Sequence, residues 1–387
     1  MLRLSFYQIT LQQNNNNTPP SFITNNKTAN TFSPTFALKS SVIIEIATTV
    51  QIKLVVEMNQ VRLTVFVFLL FLFFSVNASR TPSVDPCSPS AQRDPRTLRS
   101  DQVTVLINGY SESRIPLLQS LAATYAASPL VSSVLVLWGN PSTTAQTLAR
   151  LAQNLSLSSS FGAASVSLVR QPSSSLNARF LPRPPSIGTR AVLVCDDDVE
   201  VDQRSFEFAF RIWGSNQDRL IGLFVRSHDL DLSRKEWIYT VHPDKYSIVL
   251  TKFMILKSDY LYKYSCEGGP RMVEMRRIVD GMRNCEDILM NFVVADETNA
   301  GPILVGAERA RDYGDARNDG GDERWGLREV GLSSRRGEHR KRRGECIREF
   351  HRVMGRLPLR YGYGKVVNSV GEQGMCEKGG RLVLCDQ

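Results

Sequence analysis

The stretch that decides the fold is VLVCDDDVEVD, residues 192–202. Four apolar residues lead directly into three adjacent carboxylates, Asp196, Asp197 and Asp198. A short apolar run that ends in a polar cluster predicts a buried β-strand. Asp202 is better placed than these three to cap the helix expected next. Because adjacent like charges repel, a divalent cation bound through oxygen ligands would relieve a real cost. We therefore expect a metal site at the end of this strand, with a solvated acidic loop as the alternative.

Segments of alternating strand and helix character precede this stretch. This alternation predicts an α/β fold with a mixed, mostly parallel sheet flanked by helices. Ligands of such sheets bind outside the carboxyl ends of the strands, where the aspartates lie. A hard cation there would hold a diphosphate, so a nucleotide-sugar site is the leading hypothesis and a magnesium-dependent phosphatase its first rival. The predicted strands are Val103 to Asn108, Ser132 to Asn140 and Ala164 to Arg170, and the predicted helices are Pro116 to Tyr125, Thr143 to Asn154 and Gln203 to Trp213.

The second half of the chain has a more mixed pattern. Residues 246–256 predict one strand, and residues 284–295 predict a helix with apolar residues at helical spacing. Glu286 and Asp287 fall in its first turn, where carboxylates favour the helix dipole. The alternative is that one of them projects into an active site. Residues 308–323 are rich in Gly, Asp and Arg, and we expect a mobile loop there.

The N-terminal residues predict entry into the secretory pathway. Residues 1–57 are polar and Asn-rich, which indicates a disordered leader or a gene-model extension before Met58. The apolar run at 63–76 is shorter than the ~20 residues of a spanning helix and precedes a small-residue cleavage site. We expect a signal peptide or signal anchor at 58–78, and an anchor would associate the chain with membrane. A stem at 79–101 and a single catalytic domain at 102–387 would follow.

Seven cysteines and an excess of basic residues fit a luminal protein. In an oxidising compartment Cys376 and Cys385 are close enough in sequence to close a small loop, while Cys195 inside the apolar strand predicts a buried free thiol. The spacing of the remaining cysteines assigns no pairs. The basic run at 333–345 predicts a solvated loop or a contact with an acidic ligand. A luminal location argues against nucleic acid as a partner.

Seven motifs follow one another in order along residues 103–366. They are VTVLINGY, SSVLVLWGN, AVLVCDDDV, KYSIVLTKFMILKSDYL, NCEDILMNF, HRKRRGECI and LPLRYGYG. Together they resemble the glycosyltransferase family 64 domain of exostosins and exostosin-like transferases, with the compact plant members most similar. The resemblance implies a GT-A fold, a nucleotide-sugar donor, Mn2+ dependence, retention of anomeric configuration and a Golgi location.

The resemblance also implies roles for individual residues. Asp198 would bind the metal, and Asp287 occupies the position proposed as catalytic. Glu286 stands where the family has an aspartate, which keeps the charge but moves it by one methylene. The resemblance further implies a disulfide between Cys285 and Cys346. The residues expected to bind the donor are Asn108, Arg114, Asn140, Asn177, Arg179, Asp196, Asp197, Glu286 and Arg343.

Donor and acceptor stay open at this stage. UDP-N-acetylglucosamine, UDP-N-acetylgalactosamine and GDP-mannose all suit a diphosphate site. Plant relatives suggest glycosyl inositol phosphoceramide acceptors, and animal relatives suggest heparan-type glycans. The competing function is a catalytically inactive luminal scaffold that binds metal and nucleotide, which the change at Glu286 favours. A phosphohydrolase would need a DxDxT motif or a His-rich metal pair, and the chain has four His.

Overall fold

The computed structural model describes residues 58, 60, 85–88, 92–159, 164–314, 336–368, 374–377 and 382–385. The chain divides into two compact units, Met1–Ser83 and Val84–Gln387. None of the helices among the described residues is both long enough and apolar enough to span a bilayer. The predicted leader at 1–57 and the apolar run at 63–76 lie outside the described residues, so the proposed domain boundaries stay predictions.

A seven-stranded sheet forms the centre of the second unit. Its strands follow the order β12-β6-β11-β4-β1-β2-β3, and every pairing is parallel except those of β11. This mixed, mostly parallel sheet confirms the predicted α/β class. The strands are β1 (Arg99–Gly109), β2 (Val131–Trp138), β3 (Ser165–Arg170), β4 (Thr189–Asp196), β6 (Ile221–Gly222), β11 (Phe253–Lys257) and β12 (Ile303–Leu304).

Helices cover both faces of the sheet, because successive strand side chains point to opposite faces. Along β1, Val105 and Ile107 join one buried cluster and Leu106 joins the other. Helices α1 (Ile115–Ala126), α2 (Ala145–Ser159) and α3 (Gln203–Gly214) pack on the first cluster. Helices α4 (Asp259–Ser265), α5 (Gly269–Met282), α6 (Glu286–Thr298) and α7 (Arg336–Met354) pack on the second.

Local sequence explains where two helices begin. Pro116 lies in the first turn of α1, where its missing N–H costs no hydrogen bond. Asp202 caps α3, and its side chain accepts from the backbone N–H of Ser205 at 3.1 Å. The capping role predicted for Asp202 is therefore confirmed, which leaves the three preceding aspartates without that function.

The prediction of one strand over residues 246–256 is wrong. The segment forms β9 (Lys245–Tyr246), β10 (Ile248–Val249) and, after a turn at 250–252, β11. β9 pairs with β14 (Gly362–Tyr363), whereas β10 joins a small antiparallel sheet with β7 (Val225–Asp231) and β8 (Glu236–Thr240). The chain breaks because these short strands have different partners, and the turn places Thr251 and Lys252 at the end of β4.

The basic run at 333–345 is not a loop where the structure describes it, because residues 336–345 belong to α7. One face of α7 is buried, including Ile347 and Phe350. Burial of each such side chain contributes about 1.5–3 kcal/mol to stability. A few apolar residues on one face are therefore enough to stabilise this helix, although its overall apolar content is low.

The expected mobile loop at 308–323 is also wrong in its first part. Residues 310–312 form β13 (Ala310–Asp312), which pairs with β5 (Val199–Val201) directly after the aspartates. Residues 315–323 of that prediction lie outside the described residues.

Three disulfides and one free thiol account for all seven cysteines. The bond between Cys285 and Cys346 and the loop closed by Cys376 and Cys385 match the predictions, and Cys195 is buried and free. The bond between Cys87 and Cys266 was not predicted. The last described strands, β15 (Met375–Glu377) and β16 (Leu382–Leu384), pair across the Cys376–Cys385 bond.

Candidate active site

The three aspartates lie at the carboxyl end of β4, where two arginines pair with them. Arg114 lies at the start of α1, and its Nη1 donates hydrogen bonds to Asp197 Oδ1 at 3.0 Å and to Asp198 Oδ2 at 2.9 Å. Arg179 Nη1 donates to Asp196 Oδ1 at 3.0 Å. All five residues are predicted from the sequence to share one site, and the structure brings them together.

Burial and mutual repulsion make Asp197 and Asp198 costly to ionise. Burial and the Asp198 charge raise the pKa of Asp197 to about 7, against the opposing effect of Arg114. Burial also raises the pKa of Asp198, and the nearby ammonium of Lys252 is the strongest influence in the other direction. Asp198 Oδ1 is buried and has no hydrogen-bond partner among the described residues. An orphaned carboxylate oxygen of this kind calls for a ligand.

The ends of β1 and β2 form one wall beside the aspartates. Asn108 pairs in register with Asp196, and its side chain donates to the Cys195 carbonyl at 3.1 Å. The next residue but one, Tyr110, donates its backbone N–H to Asp197 Oδ2 at 3.3 Å. Asn140 follows β2 and donates to the Tyr110 carbonyl at 3.1 Å. Both asparagines therefore lie at the edge of the sheet where the aspartates are.

Arg179 links Asp196 to the start of α6. Its Nη1 lies 3.2 Å from Glu286 Oε1 and donates to Thr251 Oγ1 at 2.7 Å. Burial opposes its charge, but Glu286 and Asp196 raise the pKa of Arg179 above its ordinary value. Glu286 is itself buried, which raises its pKa, and Arg179 counteracts this effect. The longer side chain at position 286 thus has a charged partner in the site.

Asp287 forms a buried ion pair with Arg343. Arg343 Nη2 donates to Asp287 Oδ2 at 2.6 Å, and its Nη1 donates to Asn284 Oδ1 at 3.0 Å. The guanidinium also lies 4.5 Å above the ring of Tyr239, and its Nε has no partner among the described residues. Arg343 is 5% exposed. The Arg343 guanidinium therefore contacts Asp287 rather than solvent.

The Cys285–Cys346 disulfide connects the two elements that carry this pair. Cys285 precedes α6 and lies two residues before Asp287, while Cys346 lies one helical turn after Arg343 in α7. The bond therefore joins the two backbones close to both charged side chains.

Lys252 and Asp312 are site residues that the sequence analysis missed. Lys252 Nζ donates to Asp312 Oδ2, and Asp312 ends β13 directly across from Val199. Gly314 lies against Asp198, because a Cβ there would overlap Asp198 Oδ2 and lie 3.5 Å from Asp312 Oδ1. Lys252 was missed because residues 246–256 were predicted to form one strand. Asp312 was missed because residues 308–323 were predicted to form a mobile loop.

His339 was also missed, although its spacing offered a signal. It lies one turn before Arg343 in α7, so both side chains leave the same face of the helix. Burial and the Arg343 charge lower the pKa of His339 to about 4, against the opposing effect of Asp287. Four-residue spacing within HRKRR was sufficient to predict this neighbour once a helix was assumed.

Asn177 is the one predicted donor-binding residue that the structure does not direct to the site. Its Nδ2 donates to the Arg276 carbonyl and to Asp280 Oδ1, both at 2.9 Å. Its Oδ1 accepts from the Tyr264 hydroxyl at 2.5 Å. Because both amide hydrogens are used, Asn177 joins helices α4 and α5 rather than offering a hydrogen bond to a ligand.

The charges of the site leave room for a cation. Six carboxylates pair with four cationic side chains, an excess of two negative charges when all are ionised. Among the described residues, no three His, Cys, Asp or Glu side chains already form a metal cage. Hard divalent ions often use one or two carboxylates and take their remaining ligands from substrate phosphates. The unpartnered oxygen of Asp198 fits that pattern. The carboxylates are Asp196, Asp197, Asp198, Glu286, Asp287 and Asp312, and the cations are Arg114, Arg179, Lys252 and Arg343.

The family model described as the glycosyl transferase family 64 domain matches residues 103–371. The chain belongs to glycosyltransferase family 64. Glycosyltransferase family protein 64 C3 of Arabidopsis thaliana is 70% identical over 303 residues, which cover 78% of this chain and 91% of that protein. This family 64 chain is therefore a glycosyltransferase, as the resemblance implied.

More distant relatives are much longer than this family 64 glycosyltransferase. The exostosin-like-3 homolog of Caenorhabditis elegans is 31% identical over 51% of this chain and 22% of that protein. Mouse exostosin-1 is 32% identical over 50% of this chain and 24% of that protein. The chain thus spans about a quarter of those relatives. A solved structure of GalNAc-T7 with UDP, GalNAc and Mn2+ shares 10% identity over 50% of this chain and 40% of that one, at a TM-score of 0.36, too low to support an argument.

Proposed function

We propose that this glycosyltransferase moves an N-acetylhexosamine or mannose from a metal-bound nucleotide-sugar donor to a glycan or glycosyl inositol phosphoceramide acceptor, with retention of configuration. The observation that carries the proposal is the meeting of two buried groups at one edge of the sheet. These are the orphaned oxygen of Asp198 and the Asp287–Arg343 ion pair. The N-terminal pattern supports a place in the secretory-pathway lumen, with the Golgi as the expected compartment.

Asp198 would hold the metal, for which Mn2+ is the candidate. The ion, when bound, supplies positive charge to the diphosphate that departs. Asp196 and Asp197 would contact ribose and sugar through oxygens that Arg114 and Arg179 leave free, and Asn108 and Asn140 would contact the base or ribose. These roles rest on the position of each residue at the carboxyl ends of β1, β2 and β4.

Asp287 would act on the anomeric carbon. As the bond to the diphosphate oxygen breaks, its electron pair leaves with the diphosphate and positive charge grows on the sugar. A carboxylate nearby stabilises that charge, and the ion pair with Arg343 fixes the orientation of the Asp287 side chain. The acceptor oxygen then bonds to the anomeric carbon, and its proton passes to the departing diphosphate oxygen. We assign Arg343 as the positioning residue for Asp287, and its positive field would also favour the departing diphosphate.

An inactive scaffold is not favoured by any contact in the site. That alternative rested on Glu286, whose carboxylate keeps an ion pair with Arg179 at 3.2 Å. The extra methylene therefore leaves the charge pattern intact, and both members of the Asp287–Arg343 pair are present.

The test separates donor binding from transfer. Asp198→Asn should weaken Mn2+-dependent binding of UDP at least tenfold, because Asp198 acts on charge already present in the bound donor. Asp287→Asn should leave that binding within about threefold and lower transfer at least 100-fold, because Asp287 acts on charge that develops in the transition state. Calorimetry would measure binding, and a panel of nucleotide sugars with Mn2+ would measure hydrolysis and transfer. Asp218→Asn, at an exposed ion pair with Lys257, is the matched control. Unchanged UDP binding by Asp198→Asn would contradict the proposed metal site.

A further inference from the structure

Lys252 places a partly buried positive charge inside the acidic cluster. It lies in the turn at 250–252, between β10 and β11, and 17% of its side chain is exposed. Its ammonium donates to Asp312, and the fields of Asp312 and Asp198 raise its pKa although burial opposes the charge. Lys252 is therefore a permanent cation at the end of β4.

The partner of this ammonium, Asp312, lies beside Gly314, as does the carboxylate of Asp198 that is proposed to bind the metal. Burial raises the pKa of Asp198, and the charges of Lys252 and Arg114 oppose that effect, with Arg114 also donating to Asp198 at 2.9 Å. A Cβ built on Gly314 would meet both of these carboxylates, so Asp198 and Asp312 are neighbours there. A divalent cation bound to Asp198 would thus arrive beside a positive charge already held by Asp312.

We propose that Lys252 is the resident counter-ion of the cation site. Its ammonium competes with a divalent metal for Asp198 and thereby sets the affinity of the site for the metal. This inference rests on the proposed metal dependence. In the metal-free protein, Lys252 reduces the repulsion among the aspartates. When a divalent cation binds, the like charge of Lys252 opposes it, and the flexible lysine stem lets the ammonium turn fully toward Asp312.

Two neutral variants and one charged variant test this role in the full chain. Lys252→Met and Lys252→Gln should bind Mn2+ at least tenfold more tightly than wild type in a titration without nucleotide, because they remove the competing charge. Lys252→Arg keeps the charge and should give no such gain. Lys257→Met removes a lysine from an exposed pair with Asp218 and Asp259, and it should keep the wild-type affinity.

Asp312→Asn supplies an independent check. Without its partner, the ammonium of Lys252 turns fully to Asp198, so Mn2+ affinity should fall at least fivefold. The double variant Lys252→Met/Asp312→Asn should bind Mn2+ more tightly than Asp312→Asn alone, because the competing charge is then absent.

The outcomes distinguish this inference from the proposed function. If wild type binds no Mn2+ with or without UDP, the proposed metal site is wrong and this inference falls with it. If wild type binds Mn2+ but a folded neutral variant at position 252 binds no more tightly, the competing role of Lys252 is wrong while the metal site stands. Circular dichroism would establish which variants are folded, and the Gln variant decides if the Met variant unfolds.

Discussion

Gly314 allows the backbone to approach Asp198 closely. Adding a single methyl group at this position, as alanine, tests whether that close approach is needed. A Cβ at position 314 would overlap Asp198 Oδ2, and both neighbouring carboxylates are buried. Gly314→Ala must therefore displace the Asp198 carboxylate. We expect Mn2+-dependent UDP affinity to fall about tenfold, or about 1.4 kcal/mol, with overpacking costing about 1–3 kcal/mol of stability.

The control for this variant is Gly281→Ala. Nothing lies within 4 Å of a Cβ at Gly281, which is inside helix α5. Alanine there should stabilise the helix by about 0.5–1 kcal/mol and leave UDP affinity unchanged. Calorimetry and thermal unfolding of both variants give the comparison. Wild-type affinity in Gly314→Ala would show that Asp198 does not need its present position.

The site residues predicted from sequence lie together in the structure where local composition marks them. Three consecutive carboxylates after an apolar run identify a site without knowledge of the fold. Lys252 and Asp312 gave no such signal, since each belongs to a short segment whose meaning depends on a distant partner. Asn177 shows the opposite error, because a polar residue at a plausible spacing is used to bind helix α5.

Strands and helices with a clear apolar pattern were easier to predict from the sequence than short strands and highly charged helices. β4 extends the predicted apolar run by three residues at its N-terminus, and α3 begins at its predicted residue because Asp202 caps it. β5 and β13 were missed because three-residue strands exist only through their mutual pairing. α7 was missed because its charged residues conceal a narrow buried face that includes Ile347. Tertiary packing, absent from the sequence pattern, determines all of these.

At the scale of secondary-structure elements, the Cys285–Cys346 disulfide links the start of α6 covalently to α7. Replacing both cysteines with alanine should lower the free energy of unfolding by about 2–5 kcal/mol, because the bridge spans 61 residues and restricts the unfolded chain. Transfer should also fall, because the Asp287–Arg343 pair loses the covalent support beside it. Denaturant unfolding and a transfer assay measure the two effects.

The matched control removes Cys376 and Cys385 instead. That bond spans only nine residues, so the entropic model predicts a smaller loss of stability and no effect on transfer. Equal losses from both pairs, or full transfer activity without the Cys285–Cys346 bond, would contradict the role assigned to it.

At the scale of the whole molecule, the site depends on long-range assembly. Arg114 arrives from the start of α1, Asp198 from the end of β4 and Arg343 from a helix 145 residues further along the chain. Parallel pairing of β1 with β2 and β4 places three strand ends at one edge, which explains why the predicted residues converge. The antiparallel β11 adds Thr251 and Lys252 from the other direction.

A buried histidine gives the molecule a predictable response to acid. His228 on β7 is 4% exposed, stacks on Tyr361 at 4.6 Å between ring centroids, and has its Nδ1 2.7 Å from Ser247 Oγ. It thereby joins the small antiparallel sheet to the segment that leads into β14. Burial lowers the pKa of His228 to about 4, aided by Lys245, His242 and Arg360 and opposed by Asp229.

The sign of the pH effect follows from that lowered pKa. The unfolded histidine takes up a proton near pH 6.5, while the folded one stays neutral until about pH 4. Stability from this group is therefore complete above pH 6.5 and is lost as the pH falls to about 4, by at most about 3 kcal/mol. His228→Gln should flatten the stability curve over this range, measured by urea unfolding at several pH values. Ser247→Ala should lower stability at every pH yet keep the slope, because the histidine remains buried. A wild-type slope in His228→Gln would assign the acid response to other groups.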